Sequence, residues 1–131
     1  KAAEQGDAVA QVSLGNLYYS GEGVEKNPRE AIKWIKKAAE QGDADAQYAL
    51  GNLYYSGEGV EKNSREAYKW IKKAAEQGNV IAQVSLGYLY YSGEGVERNP
   101  REAYKWYKKA AEQGNDIAQK SVENLKFFYE E

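Results

Sequence analysis

Two kinds of segment alternate along this chain. The first, DAVAQVSLGNLYYSG (residues 7–21), is apolar on two helical faces at once: Ala10, Leu14, Leu17 and Tyr18 recur at helical spacing, and so do Val9, Val12, Asn16 and Tyr19. The second, NPREAIKWIKKAAEQG (residues 27–42), keeps Ala31, Trp34, Ile35 and Ala38 for one face and lysines for the other. Start and stop signals frame both. Asp7, Asp43 and Asn79 sit where an N-cap side chain would accept from the free amides of a first turn, and Ser20-Gly21 offers a closing glycine. Asn27-Pro28-Arg29-Glu30 reads as an N-cap, a proline at the first helical position and a capping-box glutamate; Gly42 ends that helix. The pattern predicts helices at 8–20, 28–41, 44–56, 64–77, 80–92, 100–113 and 116–129. Ala10, Leu14, Leu17 and Tyr18 are the core of the first helix. The second apolar face has no such use within one helix pair.

The alternation is a repeat. Gly6, Gly42, Gly78 and Gly114 are spaced by 36 residues, as are Trp34, Trp70 and Trp106. Residues 7–42 and 43–78 differ at five positions: Val9/Asp45, Val12/Tyr48, Ser13/Ala49, Pro28/Ser64 and Ile32/Tyr68. Residues 7–42 and 79–114 differ at seven. One domain over 1–131 is expected. Its parts are units at 7–42, 43–78 and 79–114, a capping helix over 115–131, and residues 1–6 as the remnant of a preceding unit in a longer array. Single helices of this length are marginal in water, so stacking must bury the core. Gly15, recurring as Gly51 and Gly87, costs roughly 1 kcal/mol relative to Ala inside a helix. Close approach of a neighbouring tryptophan is the expected compensation. Glu123 and Lys126 replace the glycine and tyrosine of this pattern in the tail, as a solvent-facing cap would require.

Composition narrows the chemistry. Eighteen Lys plus Arg against 20 Asp plus Glu leave a formal net charge of -2, which argues against a nucleic-acid or acidic-membrane partner. There is no Cys and no His, hence no disulfide, no zinc-finger site and no histidine catalysis. No metal and no cofactor is expected, and no apolar run is long enough for a bilayer. No serine has a lysine three residues on, the nucleophile spacing of penicillin-recognising enzymes. Paired carboxylates at Asp43 and Asp45 occur in one unit alone, so the chain reads as no enzyme. Gly21-Glu22-Gly23 lacks the further glycines and lysine of a phosphate cradle.

These residues resemble the Sel1-like repeat, a relative of the tetratricopeptide repeat with a longer inter-helix loop. The likeness lies in Ala10, Leu14-Gly15, Leu17-Tyr18, Gly21, Gly23-Val24, Ala31, Trp34, Ala38-Ala39 and Gly42, again at +36 and +72, and covers Lys1 to about Ala118. It implies an all-α, right-handed α/α superhelical solenoid used as an adaptor, whose first helices line a concave surface that grips peptides or protein segments. Members act in signalling, in ER-associated degradation and in bacterial host contact. The disulfide-rich secreted bacterial members are a poor match for a chain without Cys.

Near-identical units show which positions the fold leaves free. Val9/Asp45/Ile81, Val12/Tyr48/Val84, Ser13/Ala49/Ser85 and Asn16/Asn52/Tyr88 vary, and steps of three and four put them on one face with Tyr19, Tyr55 and Tyr91. The resemblance places that face on the concave side. A groove for a protein or peptide segment is the expectation: apolar at Val9, Val12, Tyr48, Ile81, Val84, Tyr88 and Ile117, with Asn16, Asn52 and Ser13 as polar handles. In the alternative, tight curvature packs Val9 and Val12 on neighbouring first helices; Asp45 speaks against that, because a carboxylate is costly at a dry seam. A second alternative is an engineered or consensus-like scaffold without its own ligand. A monomer is expected, with weak self-association at the truncated start. For groove residues, Val12→Glu with Val84→Glu should leave the melting temperature nearly unchanged while abolishing partner capture; for core residues it should fall steeply.

Overall fold

The computed structural model describes residue 3, residues 6–21 and residues 25–129, apart from the side chains of Val9 and Tyr19. Gly23-Val24 of the repeat motif and most of residues 1–6 lie outside the described residues. Among the described residues seven helices follow one another: α1 (Ala8–Ser20), α2 (Pro28–Glu40), α3 (Ala44–Ser56), α4 (Ser64–Glu76), α5 (Val80–Ser92), α6 (Pro100–Glu112) and α7 (Asp116–Tyr129). Each helix packs chiefly on the next in sequence, while successive first helices α1, α3 and α5 meet through side chains such as Val12 and Tyr48 rather than along their backbones. The result is a right-handed α/α solenoid with a 36-residue period.

The caps form as the residue types demand. Asp7, Asp43, Asn79 and Asn115 accept from the amides of Ala10, Ala46, Ala82 and Ala118 at 2.8–2.9 Å. Asn27, Asn63 and Asn99 accept from Glu30, Glu66 and Glu102 at 3.1–3.2 Å. Glu66 and Glu102 do not complete a capping box. Their carboxylates turn forward to Lys69 (3.3 Å) and Lys105 (3.1 Å). The second helices end one residue earlier than their pattern predicts. The amides of Gln41, Gly42 and Asp43 bond back to Ala38, Ala39 and Ala38, tightening the chain into a Schellman turn before Gln41 can continue the helix.

Two core clusters carry the stack. One joins Ile35, Ala38 and Ala39 of α2 to Ala46, Leu50 and Leu53 of α3; the other runs from Ile71 of α4 through Leu86 and Leu89 of α5 and Tyr107 of α6 to Ala118 of α7. Fully buried leucines such as Leu50 and Leu86 contribute on the order of 1.5–3 kcal/mol each. Leu17 departs from its expected core role: it is 39% exposed, against 6% for Leu53, because Leu53 is covered by α2 and no helix precedes α1 among the described residues. Trp34 is buried. Trp70 and Trp106 are half-buried, with the ammonium groups of Lys73 and Lys109 5.5 and 5.7 Å from their rings.

Close approach is real, but its partner is not tryptophan. A Cβ on Gly15 would lie 2.6 Å from Ile35 Cγ1, and one on Gly51 would lie 2.5 Å from Ile71 Cγ1; at Gly87 the Tyr107 ring stands 2.9 Å away. The residue after each tryptophan, rather than the tryptophan itself, enters the gap. The inter-helix loops add a second constraint of this kind. Gly59 lies against the backbone of Pro28, and Gly95 against that of Ser64, so each loop rests on the start of the preceding unit's second helix.

Buried glutamines tie unit to unit, a feature absent from the hydrophobic pattern. Gln47 donates to the Ala39 carbonyl (3.2 Å), and Gln77 donates to Gln47 Oε1 and to the Gly42 carbonyl, both at 2.8 Å. Gln83 and Gln113 repeat the arrangement with Ala75 and Gly78, and Gln41 donates to Gln11, which donates to Ala3. Tyr68 and Tyr90 share a hydroxyl–hydroxyl bond of 2.8 Å across α4 and α5. One seam later the Tyr104 hydroxyl is buried without a partner among the described residues, since Lys126 stands where a tyrosine would meet it.

Gly51→Ala should therefore destabilise the fold. Overpacking against Ile71 costs about 1–3 kcal/mol, which outweighs the roughly 1 kcal/mol that Ala returns in helix propensity. Urea denaturation reads the difference, and an unchanged or raised midpoint would show that α3 and α4 have slack to separate.

Candidate functional site

Because successive first helices meet only through a few side chains, a gap opens between each pair, floored by the residue that the helix glycine admits. Between α1 and α3 the gap is a depression of about 190 Å³ lined by Asn16, Ile35, Ala49, Asn52 and Leu53. Between α3 and α5 it is about 230 Å³, lined by Asn52, Tyr55, Ile71, Val84, Ser85, Tyr88 and Leu89. Between α5 and α7 it is about 170 Å³, lined by Tyr91, Tyr107, Ser121, Asn124 and Leu125. The linings correspond at steps of 36: Ile35, Ile71 and Tyr107 form the floors, and Leu53, Leu89 and Leu125 one wall. Asn52 belongs to the first two depressions and divides them.

The residues expected on this face are placed as follows. Asn16 and Asn52 are exposed on the rims. Ile81 and Tyr88 are 54% and 48% exposed, and Tyr91 is exposed beneath the Arg98 guanidinium, 5.5 Å from its ring. Asp45 is exposed and accepts from the Asn79 amide at 3.0 Å, so its carboxylate bridges two units in water rather than lying at a dry seam. Val12, Tyr48 and Val84 are half-buried and pack against the core clusters, serving the seam and the face together. Acidic substitution at Val12 and Val84 would consequently disturb packing as well as the surface. The side chains of Val9 and Tyr19 lie outside the described residues. Ile117 continues the exposed apolar line onto α7. The floors themselves were not on the expected face, because Ile35, Ile71 and Tyr107 belong to second helices.

The helices bring little charge to this face, but Glu94 and Lys62 approach it at Tyr55 and Arg98 at Tyr91. Asp45 is the one Asp, Glu, Lys or Arg within α1, α3 and α5, whereas α2, α4 and α6 carry six each. Tyr55 donates its hydroxyl to Glu94 Oε1 at 2.9 Å, and that carboxylate, with some burial, pushes the phenol up to about 12. Burial, then the bond with Tyr68, pushes Tyr90 up; burial pushes Tyr107 up, partly opposed by Ser121. None of these moves a group toward neutral pH. No cluster of Asp or Glu able to hold a metal occurs among the described residues. No helix there is long and apolar enough to cross a membrane.

The family described as Sel1 repeat matches residues 8–43, 44–79 and 80–115. The chain belongs to the Sel1 repeat family. Among solved structures, this Sel1 array is similar to a Sel1 repeat protein from Oxalobacter formigenes, with 42% identity and a TM-score of 0.87 over 93% of this chain and 92% of that one. It is similar to a protective antigen of uropathogenic Escherichia coli displaying an SLR fold, with 44% identity and a TM-score of 0.92 over 95% of this chain. A Helicobacter pylori cysteine-rich protein B shares the fold at 27% identity and a TM-score of 0.73, over 86% of this chain and 87% of that one. This chain keeps that architecture without a single Cys. A putative Sel1-like repeat-containing protein of Acanthamoeba polyphaga mimivirus is 53% identical over 36 residues, 28% of this chain. The chain spans 6% of the viral protein and 27% of the Escherichia coli antigen. Proteins built from Sel1 repeats are commonly protein–protein interaction scaffolds.

The Tyr55–Glu94 bond gives a pH signature. The folded state holds the phenol protonated above the pH at which the unfolded chain releases its proton. Its contribution is therefore complete below about pH 10 and is lost as pH rises toward about 12. Glu94→Gln keeps an acceptor, removes the charge and should bring Tyr55 back toward its ordinary value. Difference titration of tyrosinate absorbance between the wild type and Tyr55→Phe checks both; a phenol titrating near 10 in the unmodified protein would refute the bond.

Proposed function

We propose that the face built by α1, α3 and α5 is the concave groove of a non-catalytic adaptor and takes a protein or peptide segment of a partner. The observation that carries this reading is the row of depressions between first helices, which stays open because those helices meet through few side chains. Exposed Ile81, Tyr88 and Tyr91 beside it are apolar surface of the kind that marks interaction sites. The scarcity of charge within the first helices, where Asp45 stands alone, with every perturbed phenol shifted upward, supports recognition over acid–base chemistry.

Ile81→Glu with Tyr88→Glu tests it, because both side chains are about half exposed and their loss opens no cavity. The double variant should melt within a degree or two of the wild type and no longer retain the proteins that the wild type captures from a cell extract. Equal capture by both would move the binding surface elsewhere.

A further inference from the structure

The geometry points to a second kind of ligand: the hollow between α5 and α7 is a binding site for a small free carboxylic acid with an apolar body of about ring size. Such a ligand occupies this one hollow and needs no chain laid along the face.

This hollow departs from the other two at the positions that set its chemistry. At steps of 36, Ile35 and Ile71 give way to Tyr107 on the floor, Ala49 and Ser85 lead to Ser121, and the register of Val84, a wall of the second hollow, falls to Lys120. The Tyr107 ring enters the gap at Gly87 as the isoleucines enter theirs, but it adds a hydroxyl to the floor. Ser121 stands beside that phenol and partly offsets the upward push of burial on it. Ser121 donates to the Ile117 carbonyl at 3.1 Å, so the donors left for a ligand are the Tyr91 and Tyr107 hydroxyls and the Asn124 amide.

Two cations flank these donors. Arg98 donates Nε to the Tyr91 carbonyl at 2.9 Å and holds its guanidinium 5.5 Å from the Tyr91 ring. Lys120 lies one turn before Asn124 on α7, and the two line the adjoining hollow together. Neither cation has a carboxylate within ion-pair distance among the described residues; Asp116 and Glu123 share the adjoining hollow with Lys120 without pairing with it, and Glu123 is held by Lys126 at 3.4 Å. Donors flanked by unpaired cations suit an anionic oxygen. A carboxylate fits better than a phosphate, because both cations are exposed at the rim and none lies on the floor to balance a second charge. The remaining walls are the Tyr91 and Tyr107 rings and Leu125, around about 170 Å³, against the roughly 150 Å³ cavity that holds a benzene ring. An aspartate or glutamate side chain would leave much of that apolar wall uncovered, which favours a free acid with a larger body.

Benzoate is the probe, titrated into the full chain and followed by amide-resolved NMR, with benzamide as its uncharged counterpart. Benzoate should bind saturably and shift the Asn124 side-chain amide and the backbone amides around Tyr91 and Ser121, while benzamide should bind at least about tenfold more weakly. Tyr107→Phe keeps the ring in the gap at Gly87 and should weaken benzoate about tenfold with melting unchanged. Arg98→Gln with Lys120→Gln, both surface changes, should weaken it to a similar extent and remove the loss of affinity that added salt causes in the wild type. No saturable benzoate shift at these residues up to ~10 mM, equal binding of benzamide, or indifference to either variant would overturn the site. Capture of partner proteins, read with Ile81→Glu and Tyr88→Glu, is a separate measurement, so either reading can fail alone.

Discussion

At Gly15, Gly51 and Gly87 the backbone of a first helix lies directly against the side chain that follows the tryptophan of the second. That contact sets the distance within every helix pair. It also decides what lies between successive pairs, because Ile35, Ile71 or Tyr107 pushes through to the far side and becomes a floor. A Cβ at the glycine would separate the helices and lift the floor in one movement. Fold and candidate site are thus two readings of one steric fact.

The glutamine ladder governs the next level. Apolar surface alone would let one unit slide on its neighbour, since alanines at Ala38, Ala39, Ala74 and Ala75 offer a smooth seat. Gln47 and Gln83 each satisfy a carbonyl at the end of the preceding second helix, and Gln77 and Gln113 close the bond from their own unit. A buried amide misplaced by one turn would leave donor and acceptor unpaired, so the ladder fixes register as well as adding stability. The Tyr68–Tyr90 hydroxyl bond does the same at the second internal seam.

Much of this was legible before any coordinates. Helix identities, both kinds of N-cap and the solenoid architecture follow from periodicity, cap residues and the 36-residue spacing, because those signals are local and repeated. The misreadings have specific causes. Tryptophan is the largest candidate for a glycine gap, but the gap lies one helical position further on, at Ile35 and its equivalents, and sequence alone does not give that rotation. Gln47 and Gln83 look like polar surface until the position of the neighbouring carbonyl is known. Val12, Tyr48 and Val84 show why one face invited two explanations: each is half against the core and half in the open. Exposure of that kind depends on how far apart the units sit, which propensity does not encode.

The depressions are equivalent by translation but not identical. Asn52 has Tyr88 as its counterpart, and Ile71 has Tyr107. A perfectly uniform array would offer a bound strand several energetically equal alignments and no sense of direction. These aromatic replacements, all toward one end, act as an index mark: they give the lining a polarity, so that a segment laid along it in the way proposed would have a single phase and a single orientation.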